Sequence, residues 1–211
     1  MKVLVACEYS GTVRDAFLAQ GHIAVSCDIL PCESELKNLE HLPHGGHYQG
    51  DIFDILYDGW DLMIAHPPCT YLSKAGARWL YPTAGNLCPD RFKLGLEGKA
   101  FFMRLLEAPI KYIAVENPTP LKAFELPVYS QAVQPYQFGH PYSKRTLLWL
   151  KNLPELTYTQ VIEDFTTYLP SNTGGKKRGQ KHSRGISKNA HESSKTFKGI
   201  ALAMADQWGG F

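Results

Sequence analysis

Apolar runs alternate with amphipathic stretches along the chain, which predicts strands that alternate with helices. Strands are expected at 2–7, at 23–27, at 62–65, at 111–115 and at 146–150. Helices are expected at 13–20, at 94–108 and at 195–208. Buried strands separated by helices are typical of a parallel sheet, so we predict an α/β fold with a mostly parallel, doubly wound sheet.

The first predicted unit, strand–turn–helix–strand, brings its turn and the acid after its second strand to one edge of the sheet. The helix N-terminus there can meet the polar end of a cofactor, and Asp28 can accept hydrogen bonds from ribose hydroxyls. The candidate cofactor-binding residues are Glu8, Tyr9, Ser10, Gly11, Thr12, Asp28, Ile29, Asp51, Ile52 and Pro67. Together they favour an adenosine-type cofactor; the alternative is an Asp that only caps the turn after its strand.

The stretch 61–73 carries the clearest chemical signal. Its apolar run stops at Pro67 and Pro68, which cannot donate to a sheet ladder and stiffen the chain as it leaves the sheet. Cys69 follows at the edge where open α/β sheets bind ligands, and a partly ionised thiol there is a candidate nucleophile. Glu116 ends the next predicted strand, so both side chains are expected to meet one substrate. The alternatives are a small buried cysteine and a glutamate that caps a turn.

Composition indicates an ordinary globular protein of one domain with a small appendage, at 211 residues, 44% hydrophobic and 20% charged. The net charge of +2 decides little. No apolar run approaches the ~20 residues of a membrane span, so no membrane association is expected. The five cysteines are expected to be reduced. We therefore expect a cytoplasmic protein.

The polar stretch 36–48 is predicted to be irregular. It contains three histidines: His41, His44 and His47. Pro43 and the Gly45–Gly46 pair would break any helix that aligned these rings, so no metal site is predicted. The long loop at 72–90, which carries Trp79 and Tyr81, is expected to close over the site.

A basic segment at 174–185 combines five cations with four glycines and has no acid. Such a segment has no apolar face to bury and is expected to contact a polyanion; a basic loop without a partner is the alternative. The predicted nucleic-acid contacts are Ser73, Lys176, Lys177, Arg178, Lys181 and Arg184. The predicted organisation is a core at 1–156, a short basic recognition segment at 157–194, and a helix at 195–211 that returns to the core.

These motifs resemble those of the DNA cytosine-5 methyltransferases, which have the Rossmann-like class I methyltransferase fold. Residues 68–73 look like the family's Pro-Cys-Gln-x-Phe-Ser motif, 116–118 like Glu-Asn-Val, and 138–146 like Phe-Gly-x-Pro-Gln-x-Arg-x-Arg. The motifs follow the family's order over most of the chain. Only Gly11 remains of the family's glycine-rich first loop, and residues 147–194 are far shorter than its recognition region.

The resemblance implies methylation of cytosine C5 in DNA by S-adenosylmethionine, with RNA as an alternative substrate. Cys69 would add to C6, and Glu116, with a raised pKa, would hydrogen-bond N3. Asn117 would hold the loop, and Lys144 or Arg145 would steady the base or a phosphate. The base would have to be flipped out or single-stranded. Sequence specificity would be slight, or supplied by a partner or an oligomer, and so compact an enzyme would suit a bacterial or phage-infected host cell.

Two other functions remain in play. The first is an exocyclic-amine methyltransferase for N4 of cytosine or N6 of adenine, whose motif is an acid or Asn followed by Pro-Pro and an aromatic residue. His66-Pro67-Pro68-Cys69 fits that motif poorly. The second is a non-catalytic relic that binds DNA or cofactor, suggested by the reduced first motif. The C5 reaction is favoured because Cys69 and Glu116 both stand at the positions that the family's Pro-Cys and Glu-Asn motifs occupy.

Overall fold

The computed structural model describes residues 1–35, 45–167 and 190–211. Its strands are β1 (Lys2–Ala6), β2 (Ile23–Asp28), β3 (Gly45–Gln49), β4 (Leu62–Ala65), β5 (Tyr112–Pro118), β6 (Gln131–Val133), β7 (Tyr142–Ser143), β8 (Thr146–Lys151) and β9 (Thr166–Thr167). Its α-helices are α1 (Thr12–Ala19), α2 (Ala77–Leu80), α3 (Pro89–Leu106), α4 (Ala190–Ser194) and α5 (Lys198–Trp208). The predicted elements are therefore present, with several additions.

Seven strands form one sheet in the order β3-β2-β1-β4-β5-β8-β6. The first five of these are mutually parallel, whereas β8 runs antiparallel to both β5 and β6. Helices cover both faces, so the sheet is doubly wound. The mostly parallel, doubly wound α/β architecture confirms the predicted fold class.

The central strands are buried on both faces because each face packs against helices. On one face α1 and α5 lie together, with Phe17 and Trp208 fully buried between helix and sheet. On the other face α3 packs Phe102 and Leu105 onto the sheet. Burying a large apolar side chain contributes about 1.5–3 kcal/mol, and continuous apolar strands follow from having no solvated face.

Several boundaries differ from the prediction. Residues 45–49, expected to be irregular, form the edge strand β3, whose polar side chains hide its strand character from a hydrophobic pattern. The helix α3 begins at Pro89 rather than 94, since proline is well suited to the first helical turn. The last predicted helix begins at Lys198 rather than 195, because the backbone at Phe197 is extended, and a separate short helix, α4, precedes it.

The start of the predicted recognition segment packs on the block before β8. Strand β9 pairs with β7, and the ring of Phe165 stacks on Tyr136 with centroids 4.0 Å apart. His41 and His44 lie outside the described residues, while His47 contacts Ser26 and Leu30. Within the described ranges there is no cluster of metal-ligand side chains and no helix long and apolar enough to cross a membrane. The five cysteines are free, as predicted.

Candidate active site and cofactor cavity

Cys69 sits in a tight turn just beyond the carboxyl end of β4. Its carbonyl oxygen accepts hydrogen bonds from the amides of Leu72 (3.1 Å) and Ser73 (2.9 Å). Ser73 is buried, and its side chain interacts with Cys69. Ser73 is therefore buried against the candidate nucleophile and lacks the exposed surface that its predicted contact with nucleic acid requires.

The electrostatic surroundings of Cys69 favour the neutral thiol. Burial raises the pKa of Cys69, and the nearby charge of Glu116 raises it further, while Lys144 opposes them. The expectation of a partly ionised thiol is therefore wrong for the free protein. A substrate or a proton movement has to favour the thiolate before Cys69 can attack.

Glu116 makes a hydrogen bond that the sequence analysis does not anticipate. Ala65 of β4 pairs with Val115 of β5, so the next residues, His66 and Glu116, come side by side. The ring Nδ1 of His66 lies 3.1 Å from Oε2 of Glu116. Burial alone would raise the pKa of Glu116, but His66 and the charge of Lys144 outweigh it and lower the pKa. The predicted raised pKa is therefore wrong.

The other three predicted catalytic residues have different surroundings. Lys144 is close enough to lower the pKa of both Cys69 and Glu116. Arg145 is exposed and donates from Nη2 to the hydroxyl of Tyr129 at 2.9 Å. The amide of Asn117 is buried, and neither Nδ2 nor Oδ1 has a partner among the described residues. A hydrogen bond from Asn117 that holds the loop is thus absent from this part of the chain.

A cavity of about 460 Å³ opens beside His66 at the carboxyl edge of the sheet. Seven of the predicted cofactor residues line it: Glu8, Tyr9, Ser10, Asp28, Ile29, Asp51 and Ile52. Gly11, Thr12 and Pro67 do not line it. The additional lining residues are Cys7, Cys27, Leu30, Gly50, His66, Pro68, Phe101, Ser194, Lys195 and Thr196.

The N-terminus of α1 is already occupied by a side chain of this protein. The carboxylate of Glu8 accepts hydrogen bonds from the amides of Val13 (2.7 Å) and Arg14 (3.2 Å). Burial raises the pKa of Glu8, although His66 and these amides oppose it. Gly11, at φ +74°, packs so closely that an added Cβ would lie 2.7 Å from the Cβ of Ser34. The predicted meeting of this helix end with the cofactor is therefore blocked by Glu8.

Asp28 and Asp51 both line the cavity and cap turns. Oδ1 of Asp28 accepts from the amide of Leu30 at 2.9 Å, and Oδ1 of Asp51 accepts from the amide of Phe53 at 3.0 Å. Each cap uses one carboxylate oxygen, so the second oxygen can still accept a hydrogen bond from a ligand. The two interpretations of Asp28 are thus compatible.

The segment 190–196 closes one side of the cavity through contacts that span almost the whole chain. The hydroxyl of Tyr9 donates to the carbonyl of His191 at 2.7 Å, and the two rings stack with centroids 4.7 Å apart. Glu33 pairs with His191 and with Lys195, whose Nζ lies 2.7 Å from Oε2. No local spacing signals contacts between residues this far apart in sequence, so the sequence analysis missed them.

The remaining predicted contacts divide into two groups. Lys176, Lys177, Arg178, Lys181 and Arg184 lie outside the described residues. The loop predicted at 72–90 contains α2 and is anchored by buried Leu72 and Leu80, while Trp79 and Tyr81 are exposed. Its closure over the site stays a prediction.

Neither a protein-family model nor a curated protein matches the chain. It is similar to the solved structure of an E. coli protein described as a DNA modification methyltransferase encoded within a prophage (16% identity, TM-score 0.41, 71% of this chain and 46% of that one). It is also similar to S. pombe Dnmt2 methyltransferase (20%, 0.41, 74% and 51%) and to Entamoeba histolytica methyltransferase EhMeth (15%, 0.42, 77% and 57%). The chain spans about half the length of these proteins.

Proposed function

We propose that the chain is an S-adenosylmethionine-dependent methyltransferase that acts on C5 of cytosine in DNA through a covalent bond from Cys69. The observation that carries the proposal is the convergence of Cys69, Glu116 and Lys144 at the carboxyl edge of adjacent strands, beside a cavity. A thiol, a carboxyl group and a cation are the groups that addition to a pyrimidine ring requires.

The cavity beside Cys69 suits an adenosine-type cofactor. Asp28 stands at the end of β2 with one carboxylate oxygen to accept from ribose hydroxyls, and Ile29, Ile52 and Phe101 offer apolar walls for a purine ring. Bound there, S-adenosylmethionine supplies an electrophilic methyl group. Since Glu8 already caps α1, the carboxylate of the cofactor has to bind elsewhere. Among the described residues that line the cavity, Lys195 is the only lysine or arginine.

The chemistry follows from the weak nucleophilicity of cytosine C5. Addition of the Cys69 thiolate to C6 turns C5 into an enamine-like carbon that accepts a methyl group. Glu116 hydrogen-bonds N3 and stabilises the charge that addition creates. Lys144 favours the thiolate, since its charge lowers the pKa of Cys69. Loss of the C5 proton to water with expulsion of Cys69 then frees the product.

The expected contacts with nucleic acid follow from the reaction and from the positive charge of the segment 174–185. C6 of cytosine is inaccessible inside a duplex, so the base has to be flipped out or already single-stranded. Trp79 and Tyr81, which are exposed on the loop that follows Cys69, can stack on bases. The basic segment 174–185 would contact phosphates without reading sequence. Specificity would then come from a partner or from an oligomer.

The test is mass spectrometry of the protein incubated with S-adenosylmethionine and 5-fluorocytosine DNA, duplex or single-stranded. Fluorine at C5 blocks the final elimination, so the protein should remain bonded to DNA. Cys69→Ala should abolish the adduct. Cys88→Ala is the matched control, because Cys88 is also half-buried but lies at the start of α3.

Each result separates the candidates. An adduct in wild type and Cys88→Ala but not in Cys69→Ala supports the proposal. Methylation that survives Cys69→Ala, with the methyl group on an exocyclic nitrogen, would replace it with the amine reaction. Cofactor binding by calorimetry without methylation of DNA or RNA would leave the binding relic.

A further inference from the structure

His66 is a polar side chain of the site to which the proposed reaction gives no role. Its side chain is 9% exposed, and it lines the cavity. Nδ1 faces Glu116 at 3.1 Å, whereas Nε2 is buried without a hydrogen-bond partner among the described residues. A buried imidazole nitrogen without a partner is costly, which indicates a role beyond packing.

Charged groups surround the His66 ring on several elements. Glu116 approaches from β5, and Glu8, in the turn after β1, lies close enough for His66 to influence its pKa. Lys144, from the turn between β7 and β8, is near enough to Glu116 to lower its pKa, and Cys69 follows on the loop of His66 itself. Two buried carboxyl groups thus flank one imidazole.

We propose that His66 and Glu116 act as a pair that holds the proton delivered to N3 of the target base, with His66 as a positioning residue that acts through Glu116. The proposal rests on the cytosine-5 reaction proposed above. It resolves a conflict in that reaction, because N3 of neutral cytosine needs a donor while the surroundings of Glu116 favour its carboxylate.

The proton movement balances within the pair and the base. In the free protein the proton is on Nδ1 of His66, facing the carboxylate of Glu116. Cys69 gives its thiol proton to water, and as the thiolate bonds to C6, the C5–C6 π pair shifts to C4–C5 and the C4–N3 π pair moves to N3. N3 takes a proton from Glu116, whose Oε2 takes the Nδ1 proton, and His66 becomes neutral. When Cys69 leaves, the C5–C6 double bond re-forms and N3 returns the proton along the same path.

The experiment compares His66→Asn with wild type in the rate of adduct formation on 5-fluorocytosine DNA between pH 6 and 9. Asn offers an amide donor near the place of Nδ1 but cannot carry the additional proton. At pH 8 we expect roughly 100-fold slower adduct formation, within the range of general acid catalysis. The deficit should shrink as pH falls, since Glu116 can then take its proton from solvent. His22→Asn, at the opposite edge of the sheet, should behave as wild type.

If His66 had only a structural role, His66→Asn would slow adduct formation by the same factor at every pH. That result would overturn the proposal, and so would an unchanged rate. If His66→Asn fails to fold, ¹⁵N NMR of wild type replaces it: the ring nitrogens of His66 should change their protonation between the free protein and the covalent adduct. An unchanged ring would refute the pair. The failure of the proposed function is separate, because it appears as no adduct in wild type.

Discussion

Glu8 offers a test of the site's architecture that is independent of activity. Its buried carboxylate occupies the first turn of α1, where it accepts hydrogen bonds from the amides of Val13 and Arg14. Glu8→Ala removes both acceptors, whereas Glu8→Gln keeps one side-chain oxygen and removes the charge. The two variants therefore separate the hydrogen bonds from the cost of burying a negative charge.

The expected loss of stability in Glu8→Ala follows from the two amides that it leaves without an acceptor. A buried donor left without a partner costs about 1–3 kcal/mol, so the loss of the acceptor for two amides in Glu8→Ala should lower the free energy of unfolding by about 2–6 kcal/mol. For a protein of 150–250 residues each kcal/mol shifts Tm by about 2–4 °C, which predicts a fall of at least about 4 °C. Urea unfolding followed by circular dichroism measures the first quantity, and a thermal melt measures the second.

The pH dependence has a definite sign. Burial raises the pKa of Glu8 above its ordinary value of 4.5 in the folded state. The protonated Glu8 side chain therefore makes its full contribution to stability below pH 4.5, and this contribution is lost as the pH rises through the pKa of Glu8 in the folded protein. Glu8→Gln cannot ionise, so it should gain stability relative to wild type between pH 5 and pH 8. If Glu8→Gln is as unstable at pH 8 as Glu8→Ala, the ionised carboxylate is the stabilising form and this reasoning is refuted.

Two further variants test the site and its support. Glu116→Gln removes a charge that raises the pKa of Cys69, so iodoacetamide should alkylate Cys69 faster at pH 8, as measured by peptide mass spectrometry; a slower reaction would contradict the electrostatics. Gly199→Ala should lower stability by about 1–3 kcal/mol, since the new Cβ would overlap the carbonyl oxygen of Phe138. Gly210→Ala, with open space around it, should stay within about 0.5 kcal/mol in the same melts; equal losses would refute the packing argument.

The sheet and the position of the site could be predicted because local pattern determines both. The buried run at 62–65 ends at a proline pair, and the run of β5 ends near Glu116, so parallel pairing alone brings both ends to one edge. Strand β3 could not be predicted in this way. It is an edge strand that forms by backbone pairing with β2, and its side chains do not alternate between apolar and polar.

The protonation of the site depends on the register between β4 and β5, which cannot be read from the sequence. Cys69 and Glu116 stand out by their residue types, but the pKa of each depends on which side chain lies one strand away. Because Ala65 is paired with Val115, His66 falls beside Glu116 and lowers its pKa. A register shift of one residue would turn each side chain to the opposite face, and the same two residue types would then have no contact. The chemistry of this site is therefore a property of the pairing of β4 with β5 as much as of its motifs.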